Sequence, residues 1–256
     1  MKKKILIGIP CYNCENQISL LINEIDNSIL DKVDKILILD NCSLDKTLEV
    51  AKTSLLKKED KEKFILAKNK LNYGLGGSHK TIFNFSIKSG FDYTIILHGD
   101  NQAKTSEIND MINILYNEKA KDYDALLGSR FMKGSKLNGY SLIRTVGNII
   151  LNIIYSVFLR KKIFDLGSGL NLYKNLMLSK IDYLKFDNQF TFNMDLLIIM
   201  TKKFNINYFP ITWSDFGQIS NANAIKVGLK TLSKIFFKDY EQKDINFIFS
   251  KIEINE

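Results

Sequence analysis

Short apolar runs alternate with amphipathic segments through the first half of the chain. Four runs rich in isoleucine and leucine stop at a proline or a polar residue and predict buried β-strands: KKILIGIP, KILILD, KFILAKN and DYTIILHGD. The segments between them place apolar residues three and four positions apart, as in Ile18, Leu21, Ile22 and Ile25, which predicts helices. Ser43 is the expected N-cap of the second helix. This alternation predicts an α/β fold with a Rossmann-like, mostly parallel central sheet flanked by helices.

The second half is less regular but continues the α/β pattern. DALLGSRF predicts a strand, DLGSGLNLYK a glycine-rich loop and a strand, TFNMDLLIIMTKKF a helix and INYFPITW a strand. The polar SNANA segment beyond Trp213 predicts a mobile loop, and IKVGLKTLSKIFFKD predicts a basic amphipathic helix. Because the chain has no internal repeat and no Pro- or Ser-rich linker, we predict one domain over residues 1–220 with a C-terminal helical extension over 221–256.

One segment, LIRTVGNIILNIIYSVFL, is 18 residues long and mainly apolar. Its polar residues Arg144, Asn148, Asn152 and Ser156 are four positions apart and form a stripe along a helix. A charge and two amides argue against a free-standing transmembrane span. We therefore expect a helix that is buried against the domain or that lies in a membrane interface.

Composition narrows the partners and the compartment. The net charge of +8, from 36 Lys and Arg against 28 Asp and Glu, suits anionic partners and equally suits a lysine-rich background. No block of five basic residues occurs, so nucleic acid is not an expected partner. Cys11, Cys14 and Cys42 cannot all pair, and the N-terminus lacks a signal-peptide pattern, which together predict a reducing cytoplasm. The C-x-x-C pair has no second cysteine pair to complete a metal set, so incidental cysteines are the preferred interpretation.

Polar residues follow the ends of the predicted strands. Asp40 and Asp100 each end a buried strand, and a parallel sheet brings such ends to one crevice. A carboxylate there can bind a ribose or a base, or hold a divalent cation together with the oxygen of Gln102. The alternative is that each is an ordinary turn former. The occurrence of both Asp40 and Asp100 at strand ends favours a binding site over two ordinary turn formers.

The glycines and the three arginines add candidates for phosphate binding. NYGLGGSHK, which includes Gly74, precedes a helix and could turn backbone N–H groups toward a phosphate, although His79 replaces the third glycine of a dinucleotide motif. Arg130 follows a strand and Arg144 begins the long apolar helix, where a planar guanidinium would grip a phosphate. Arg160, which lies among lysines, is expected to be a surface residue.

Eight motifs occur in the order seen in family-2 glycosyltransferases: IGIPCYN, ILDNCSLDKT, NKLNYGLGGS, HGDNQ, LLGSRF, IRTVGN, DLGSGLNLY and FTFNMDLL…FPITW. The chain resembles the dolichyl-phosphate mannose synthase-like branch of that family from about Ile5 to Ser220. The resemblance implies a GT-A fold, a nucleotide-sugar donor and a Mg²⁺ or Mn²⁺ ion. It also implies a membrane-associated process such as surface polysaccharide or glycolipid synthesis.

On the donor side, the resemblance assigns nucleotide binding to Pro10, Tyr12, Asn13, Asp40 and Gly74. It assigns the metal and the diphosphate to Asp100 and Gln102, and His98 occupies a position where the family usually has an acid. Imidazole suits Mn²⁺ better than Mg²⁺, so His98 is either a manganese ligand or not a ligand.

On the acceptor side, the resemblance assigns a phosphate site to Arg130, Arg144 and Asn148, and the catalytic residues are expected to be Asp100, Arg130 and Asp195. Asp195 is the candidate base, with a carboxylate on the helix surface as the alternative, and an ionised phosphate acceptor needs no base. The late family motif with an arginine and a lysine is SDFGQISN here, which lacks both.

The sequence thus predicts a cytoplasmic, metal-dependent, inverting glycosyltransferase with peripheral contact at the inner face of a membrane. Its expected acceptor is a lipid phosphate or a glycan. Two alternatives remain, a transferase with a soluble acceptor and a nucleotide-sugar-binding protein without catalysis.

Overall fold

The computed structural model of the chain describes residues 3–117, 122–215, 230–234 and 248–254. The strands are β1 (Ile5–Cys11), β2 (Lys35–Asp40), β3 (Phe64–Asn69), β4 (Tyr93–Leu97), β5 (Ala125–Ser129), β6 (Lys136–Asn138), β7 (Leu170–Lys174), β8 (Ile206–Pro210), β9 (Thr212–Ser214) and β10 (Phe249–Ile252). The α-helices are α1 (Glu15–Glu24), α2 (Asn27–Leu30), α3 (Thr47–Leu56), α4 (Gly74–Lys88), α5 (Glu107–Tyr116), α6 (Leu142–Leu159), α7 (Asn175–Leu178) and α8 (Phe192–Lys203).

Eight strands form the central sheet, in the order β10-β3-β2-β1-β4-β7-β5-β8. Strands β3, β2, β1 and β4 are parallel, and β5 and β8 share their direction. Only β7 and β10, among the described strands of this sheet, run the other way. The strands β6 and β9 form a separate two-stranded sheet. The predicted mostly parallel sheet flanked by helices is confirmed.

Both faces of the sheet are covered because its central strands are apolar on both sides. Ile5, Ile7 and Ile9 of β1 pack in a core with residues of α1, α3 and α5. Leu6 of the same strand points into the second core, which contains residues of α4, α6 and α8. The uninterrupted apolar runs of the sequence are thus the signature of strands that are buried on both faces.

Three local predictions need correction. Ser43 is not an N-cap, because α3 begins at Thr47 after the uncapped Lys46, and the Ser43 hydroxyl instead accepts a hydrogen bond from Asn13 N. INYFPITW forms two strands rather than one, since β9 leaves the central sheet to pair with β6.

The third correction concerns the C-terminal extension. Within 221–256, residues 230–234 are helical as predicted, but β10 lies in the same range and pairs antiparallel with β3 at the edge of the sheet. A strand this short, with an exposed centre, lacks the apolar pattern by which it could be predicted. The boundary at 220/221 and the SNANA loop lie outside the described residues.

The long helix α6 has its polar stripe on the inside. Asn152 Nδ2 donates to Phe164 O at 2.9 Å, and Ser156 Oγ accepts from Ile163 N at 2.9 Å, so both face the domain. The outer face is apolar and exposed, and includes Leu142, Ile143, Val146, Ile150, Ile153 and Val157. Among the described residues, α6 alone has the length and mean hydropathy (1.7) of a membrane span, which is weak evidence by itself.

The contact between β1 and α4 leaves no room for a side chain at Gly8. A Cβ added there would lie 2.3 Å from Cγ2 of Ile82, a buried residue of α4. We predict that Gly8→Ala lowers the free energy of unfolding by about 1–3 kcal/mol through overpacking. Urea denaturation measures this change in the free energy of unfolding. Gly147→Ala is the matched control, because Gly147 lies on α6 with no atom within 4 Å of an added Cβ, and it should raise stability by about 0.5–1 kcal/mol. Equal effects of the two substitutions would contradict the close approach.

Candidate active site

The carboxyl ends of β1, β2 and β4 lie side by side, as the alternation of strands and helices predicted. Cys11 pairs with Asp40 in the sheet register, and Gly99 N donates to Pro10 O at 3.1 Å. Asn41 N also donates to Cys11 O at 2.8 Å, so the first turns after the strands are joined. Pro10, Asp40 and the segment around Asp100 therefore share one edge of the sheet.

Asn13 and Asp40 both bind the loop that follows β2. Asn13 has a left-handed backbone (φ 50°), and its Oδ1 accepts from Leu44 N at 2.9 Å. The Asp40 carboxylate, 1% exposed, accepts from Ser43 N at 3.3 Å. These contacts shape the loop, and Tyr12 beside them is partly exposed. The side chains of Asn13 and Asp40 thus accept hydrogen bonds from backbone N–H groups of this loop.

The glycine-rich loop at the start of α4 is held by an asparagine that the sequence analysis did not single out. Asn41 Oδ1 accepts from Tyr73 N at 3.0 Å and from Asn69 Nδ2 at 2.9 Å. Gly74 has φ of +73°, and a Cβ there would lie 2.4 Å from Asn188 O. Only glycine fits this turn, which brings the loop against the segment before α8.

The candidate metal-binding segment crosses from β4 toward the small sheet. Gln102 N donates to the Asp100 carboxylate at 3.3 Å, and Ser214 N donates to Gln102 O at 2.8 Å. Both Asp100 and Gln102 are partly exposed. The described residues contain no group of three His, Cys, Asp or Glu side chains able to hold a metal ion. Asp100 and Gln102 together offer oxygen atoms of the kind that hard cations prefer.

One ring nitrogen of His98 points away from the segment that contains Asp100 and Gln102. Its Nε2 lies 3.2 Å from Nε2 of His79, the buried residue of α4. Its backbone N donates to Gly169 O at 2.8 Å, which fixes the position of the residue. Only Nδ1 of His98 is left for a ligand. A pairing between the chain's two histidines was not predicted, because they belong to different motifs.

Arg130 is bound by a buried carboxylate. Its Nε and Nη2 donate to the two oxygens of Asp165 at 2.8 and 2.9 Å, and Nη2 also donates to Gly167 O at 2.9 Å. Burial disfavours the charged guanidinium, but Asp165 outweighs this effect and raises the pKa of Arg130. The guanidinium stays charged, and Asp165 restricts the directions in which it can donate. Asp165 belongs to the DLGSGLNLY motif but was not predicted as its partner.

Tyr140 brings the three predicted acceptor-side residues together. Its ring centre lies 4.8 Å from the Arg144 guanidinium and 5.8 Å from that of Arg130, and its hydroxyl accepts from Asn148 Nδ2 at 3.2 Å. Arg144 also forms an ion pair with Asp215 at 2.8 Å, and its side chain is 41% exposed. Two guanidinium groups and an amide thus meet around one phenol, and each guanidinium has a carboxylate partner. Because Tyr140 lies in no quoted motif, nothing in the sequence marked it.

Asp195 lies in a different group of charges. It is 2% exposed, and its Oδ2 is 3.0 Å from Nζ of Lys234, which is also buried. Burial raises the pKa of Asp195, and Lys234 opposes this effect. The alternative interpretation of Asp195 as a carboxylate on the helix surface is thus wrong, because Asp195 is buried and paired with Lys234. The structure brings Arg130, Arg144 and Asn148 together but gives Asp195 other neighbours.

Comparison with known proteins finds a family match for the chain and named relatives. Residues 6–182 match the family described as Glycosyl transferase family 2. The UDP-N-acetylglucosamine--dolichyl-phosphate N-acetylglucosaminyltransferase of Methanococcus voltae is 26% identical over 245 residues, covering 91% of this chain and 95% of the relative. The polyprenol monophosphomannose synthase of Mycolicibacterium smegmatis is 22% identical over 215 residues, covering 83% of this chain and 78% of the relative.

Solved structures confirm the GT-A fold. The glucosyl-3-phosphoglycerate synthase of Mycobacterium tuberculosis, in complex with Mn²⁺, uridine diphosphate and glucosyl-3-phosphoglycerate, matches with a TM-score of 0.63. The match covers 91% of this chain and 80% of that chain at 13% identity. At this identity the similarity concerns the fold alone.

The two arginine ion pairs should differ sharply in their contribution to stability. Asp165→Asn leaves a buried Arg130 with a weaker partner, and we predict a loss of about 3–5 kcal/mol in the free energy of unfolding. Asp215→Asn breaks the more exposed pair with Arg144 and should cost at most about 1 kcal/mol. Urea denaturation of both variants provides the comparison. Similar small losses would show that Asp165 does not control the position of Arg130.

Proposed function

Because the chain belongs to glycosyl transferase family 2, we propose that it transfers a sugar from a nucleotide donor to a lipid phosphate, with inversion at the anomeric carbon. That it is a nucleotide-sugar-dependent glycosyltransferase follows from the family and its named relatives. The observation that carries the finer proposal is the cluster of Arg130, Tyr140, Arg144 and Asn148. This cluster offers a phosphate group one partly exposed guanidinium, that of Arg144, beside a second, that of Arg130, whose side chain is only 12% exposed.

The donor side of the proposal rests on the joined ends of β1 and β2. Pro10, Tyr12, Asn13 and Asp40 would surround the nucleoside, and the loop at Gly74 would close one side. The structure of the same fold that contains uridine diphosphate supports a nucleoside diphosphate as part of the donor. Parallel α/β sheets bind ligands beyond the carboxyl ends of their strands, which is where these residues lie.

A divalent cation, Mg²⁺ or Mn²⁺, is proposed at Asp100 and Gln102, with His98 as a third candidate ligand. The oxygen donors fit a hard cation, and the Mn²⁺ in the solved relative supports this choice. The chemistry supplied by a bound cation is neutralisation of the charge on the departing diphosphate. The role of Asp100 is then to hold the leaving group in line with the incoming acceptor.

A phosphate acceptor agrees with the surroundings of Asp195 and of Arg144. An ionised phosphate oxygen attacks without losing a proton, so the reaction needs no general base. Asp195, which is buried and paired with Lys234, is then an anchor for the C-terminal segment and not a base. Arg144 would exchange its partner Asp215 for the acceptor phosphate, and Arg130 lies near the same Tyr140 ring.

The function is tested with a panel of UDP- and GDP-sugars, Mn²⁺ or Mg²⁺ and a short-chain polyprenyl phosphate in detergent. We predict release of nucleoside diphosphate together with a glycosylated lipid phosphate. Arg144→Met should lower kcat for the lipid phosphate by about 10²-fold and leave the donor KM unchanged, because it removes one phosphate donor. Asp100→Asn should instead impair the binding of donor and cation.

Two control variants make this test specific. Lys88→Met removes an exposed cation in the last turn of α4 and should change neither kinetic parameter. Asp195→Asn should keep kcat within about tenfold, because loss of a true general base costs about 10²–10⁴-fold. Turnover only with a soluble or glycan acceptor would favour the alternative transferase. No turnover with any donor would overturn the proposal.

The outer face of α6 is the proposed point of contact with the membrane that carries a lipid acceptor. Ile143 and Val157 are 86% and 74% exposed, and the helix is followed by the exposed basic residues Arg160, Lys161 and Lys162. An apolar face bordered by cations suits an anionic bilayer interface. Arg144 lies on the inner side of the same helix, so a phosphate at the membrane surface would be within its reach.

Vesicle binding tests the membrane contact. The double variant Ile143→Glu/Val157→Glu should weaken binding to anionic vesicles by about tenfold or more. It places charge where apolar side chains would otherwise be buried in the bilayer interface. Leu20→Glu is the control, because Leu20 is 57% exposed on α1, which covers the opposite face of the sheet. Unchanged sedimentation of the double variant with vesicles would exclude α6 as the contact.

A further inference from the structure

The glycine-rich loop at the start of α4 lies directly against residues 184–189. A Cβ added at Gly74 would be 2.4 Å from Asn188 O, and one added at Gly76 would be 2.6 Å from Asp187 O. Real Cβ atoms do not approach other atoms so closely, so the two backbones are in tight contact. The 184–189 segment therefore determines where the glycine-rich loop can lie.

Lys80 of α4 binds the 184–189 segment from the inside of the domain. Its side chain is buried, and Nζ donates to Leu184 O, Phe186 O and Asn188 Oδ1 at 2.5 to 3.0 Å. An ammonium group has three N–H donors, which is enough for all three oxygens. The helix that begins with the glycine-rich loop thus also fixes the segment against which the loop lies.

The C-terminal extension binds the same segment through two lysines. Lys234 Nζ is 3.0 Å from Asp195 Oδ2, both residues are buried, and this oxygen also accepts from Asp187 N at 3.5 Å. Lys230 forms an ion pair with the Asp187 carboxylate. Residues 230–234 therefore bind Asp187 at its side chain and, through Asp195, at its backbone.

A second described part of the extension contacts the residues just before the loop. Ile248 O accepts from Lys70 N at 2.9 Å, and Ile248 N donates to the Tyr73 hydroxyl at 3.4 Å. Tyr73 directly precedes Gly74 in the chain. The family match covers residues 6–182, so both contacts come from a part of the chain outside that match. The extension thus reaches the glycine-rich loop from two directions.

We propose that Lys230 and Lys234 are positioning residues for the nucleotide-sugar donor, because they fix the segment that supports the glycine-rich loop. The role of the loop in donor binding rests on the proposed function, whereas the contacts themselves do not. The lysines act through Asp187 and Asp195. The C-terminal extension is then a working part of the donor site and not only a cover for the edge of the sheet.

The expected effect follows from the cost of ordering a loop. A loop that is already in its binding arrangement spends none of the binding free energy on being ordered, and affinity falls in proportion when that arrangement is only partly populated. Loss of either lysine should therefore weaken donor binding. It should raise the KM for the donor more than it lowers kcat, because the reacting groups are unchanged.

Hydrogen–deuterium exchange of the intact chain measures the loop without any ligand. Lys230→Glu places a carboxylate against Asp187, and it should speed exchange in residues 73–78 and 184–189 by about threefold or more. The amide of Gly77, which donates to Asn188 O at 3.2 Å, reports the contact directly. Unchanged exchange at both sites would overturn the proposal.

Lys174→Glu is the matched control. Lys174 forms an ion pair with Asp122, so the same substitution again places a carboxylate against an aspartate. Lys174 pairs with Tyr93, the first residue of β4, and lies at the edge of the sheet opposite the glycine-rich loop. This variant should lower the melting temperature as Lys230→Glu does, but it should leave exchange in the loop unchanged.

Nucleotide binding is the second measurement, made by calorimetry with UDP and with GDP in the presence of Mn²⁺, well below the melting temperature of every variant. Affinity should fall by about threefold or more in Lys230→Glu and by about tenfold or more in Lys234→Met, and should not change in Lys174→Glu. In turnover assays the donor KM should rise by the same factors, with kcat within about threefold.

The outcomes separate this proposal from the proposed function. If the unmodified chain binds neither nucleotide, the proposed function fails. If it binds one, and Lys230→Glu binds that nucleotide as tightly as Lys174→Glu does, the positioning role fails. Lys230→Arg retains the positive charge and should restore both affinity and slow exchange. If Lys234→Met does not fold, Lys230→Glu still decides, because the Lys230 side chain is 48% exposed.

Discussion

The arrangement of the candidate site depends on the buried ion pair between Arg130 and Asp165. The pair connects the end of β5 to the glycine-rich segment before β7, and Gly167 O accepts a further bond from the same guanidinium. Gly169, two residues later, accepts from the backbone of His98. One buried charge pair thus links the acceptor-side arginine to the candidate metal-binding segment. Breaking either partner would leave an uncompensated charge in a buried site.

A second constraint is the orientation of α6. Its polar residues face the domain, where Asn148 meets Tyr140 and Asn152 meets Phe164 O, while most of its apolar residues face outward. Tyr155 and Leu159 pack in the second core, but most of the apolar face of the helix is not buried in the described domain. It instead places Arg144 and an apolar surface on opposite sides of one element. That placement suits an enzyme whose acceptor has a charged head and an apolar tail.

Much of the fold could be predicted because strands buried on both faces and helices with regular apolar spacing leave clear local patterns. The common edge of Pro10, Asp40 and Asp100 followed from the same patterns, since parallel strands end together. The cap of α3 could not be predicted in this way, because Ser43 bonds instead to Asn13, 30 positions earlier. The strand β10 could not either, since its pairing with β3 spans most of the chain.

The sequence by itself determined the α/β class, the order of the elements and the residue types available for binding phosphate and a cation. These properties follow from local periodicity and from residue chemistry. Only the tertiary structure decided which charges are paired: Arg130 with Asp165, Arg144 with Asp215 and Asp195 with Lys234. It also decided that His98 faces His79. Partners 19 to 71 positions apart meet only when the sheet is assembled, and no local pattern specifies them.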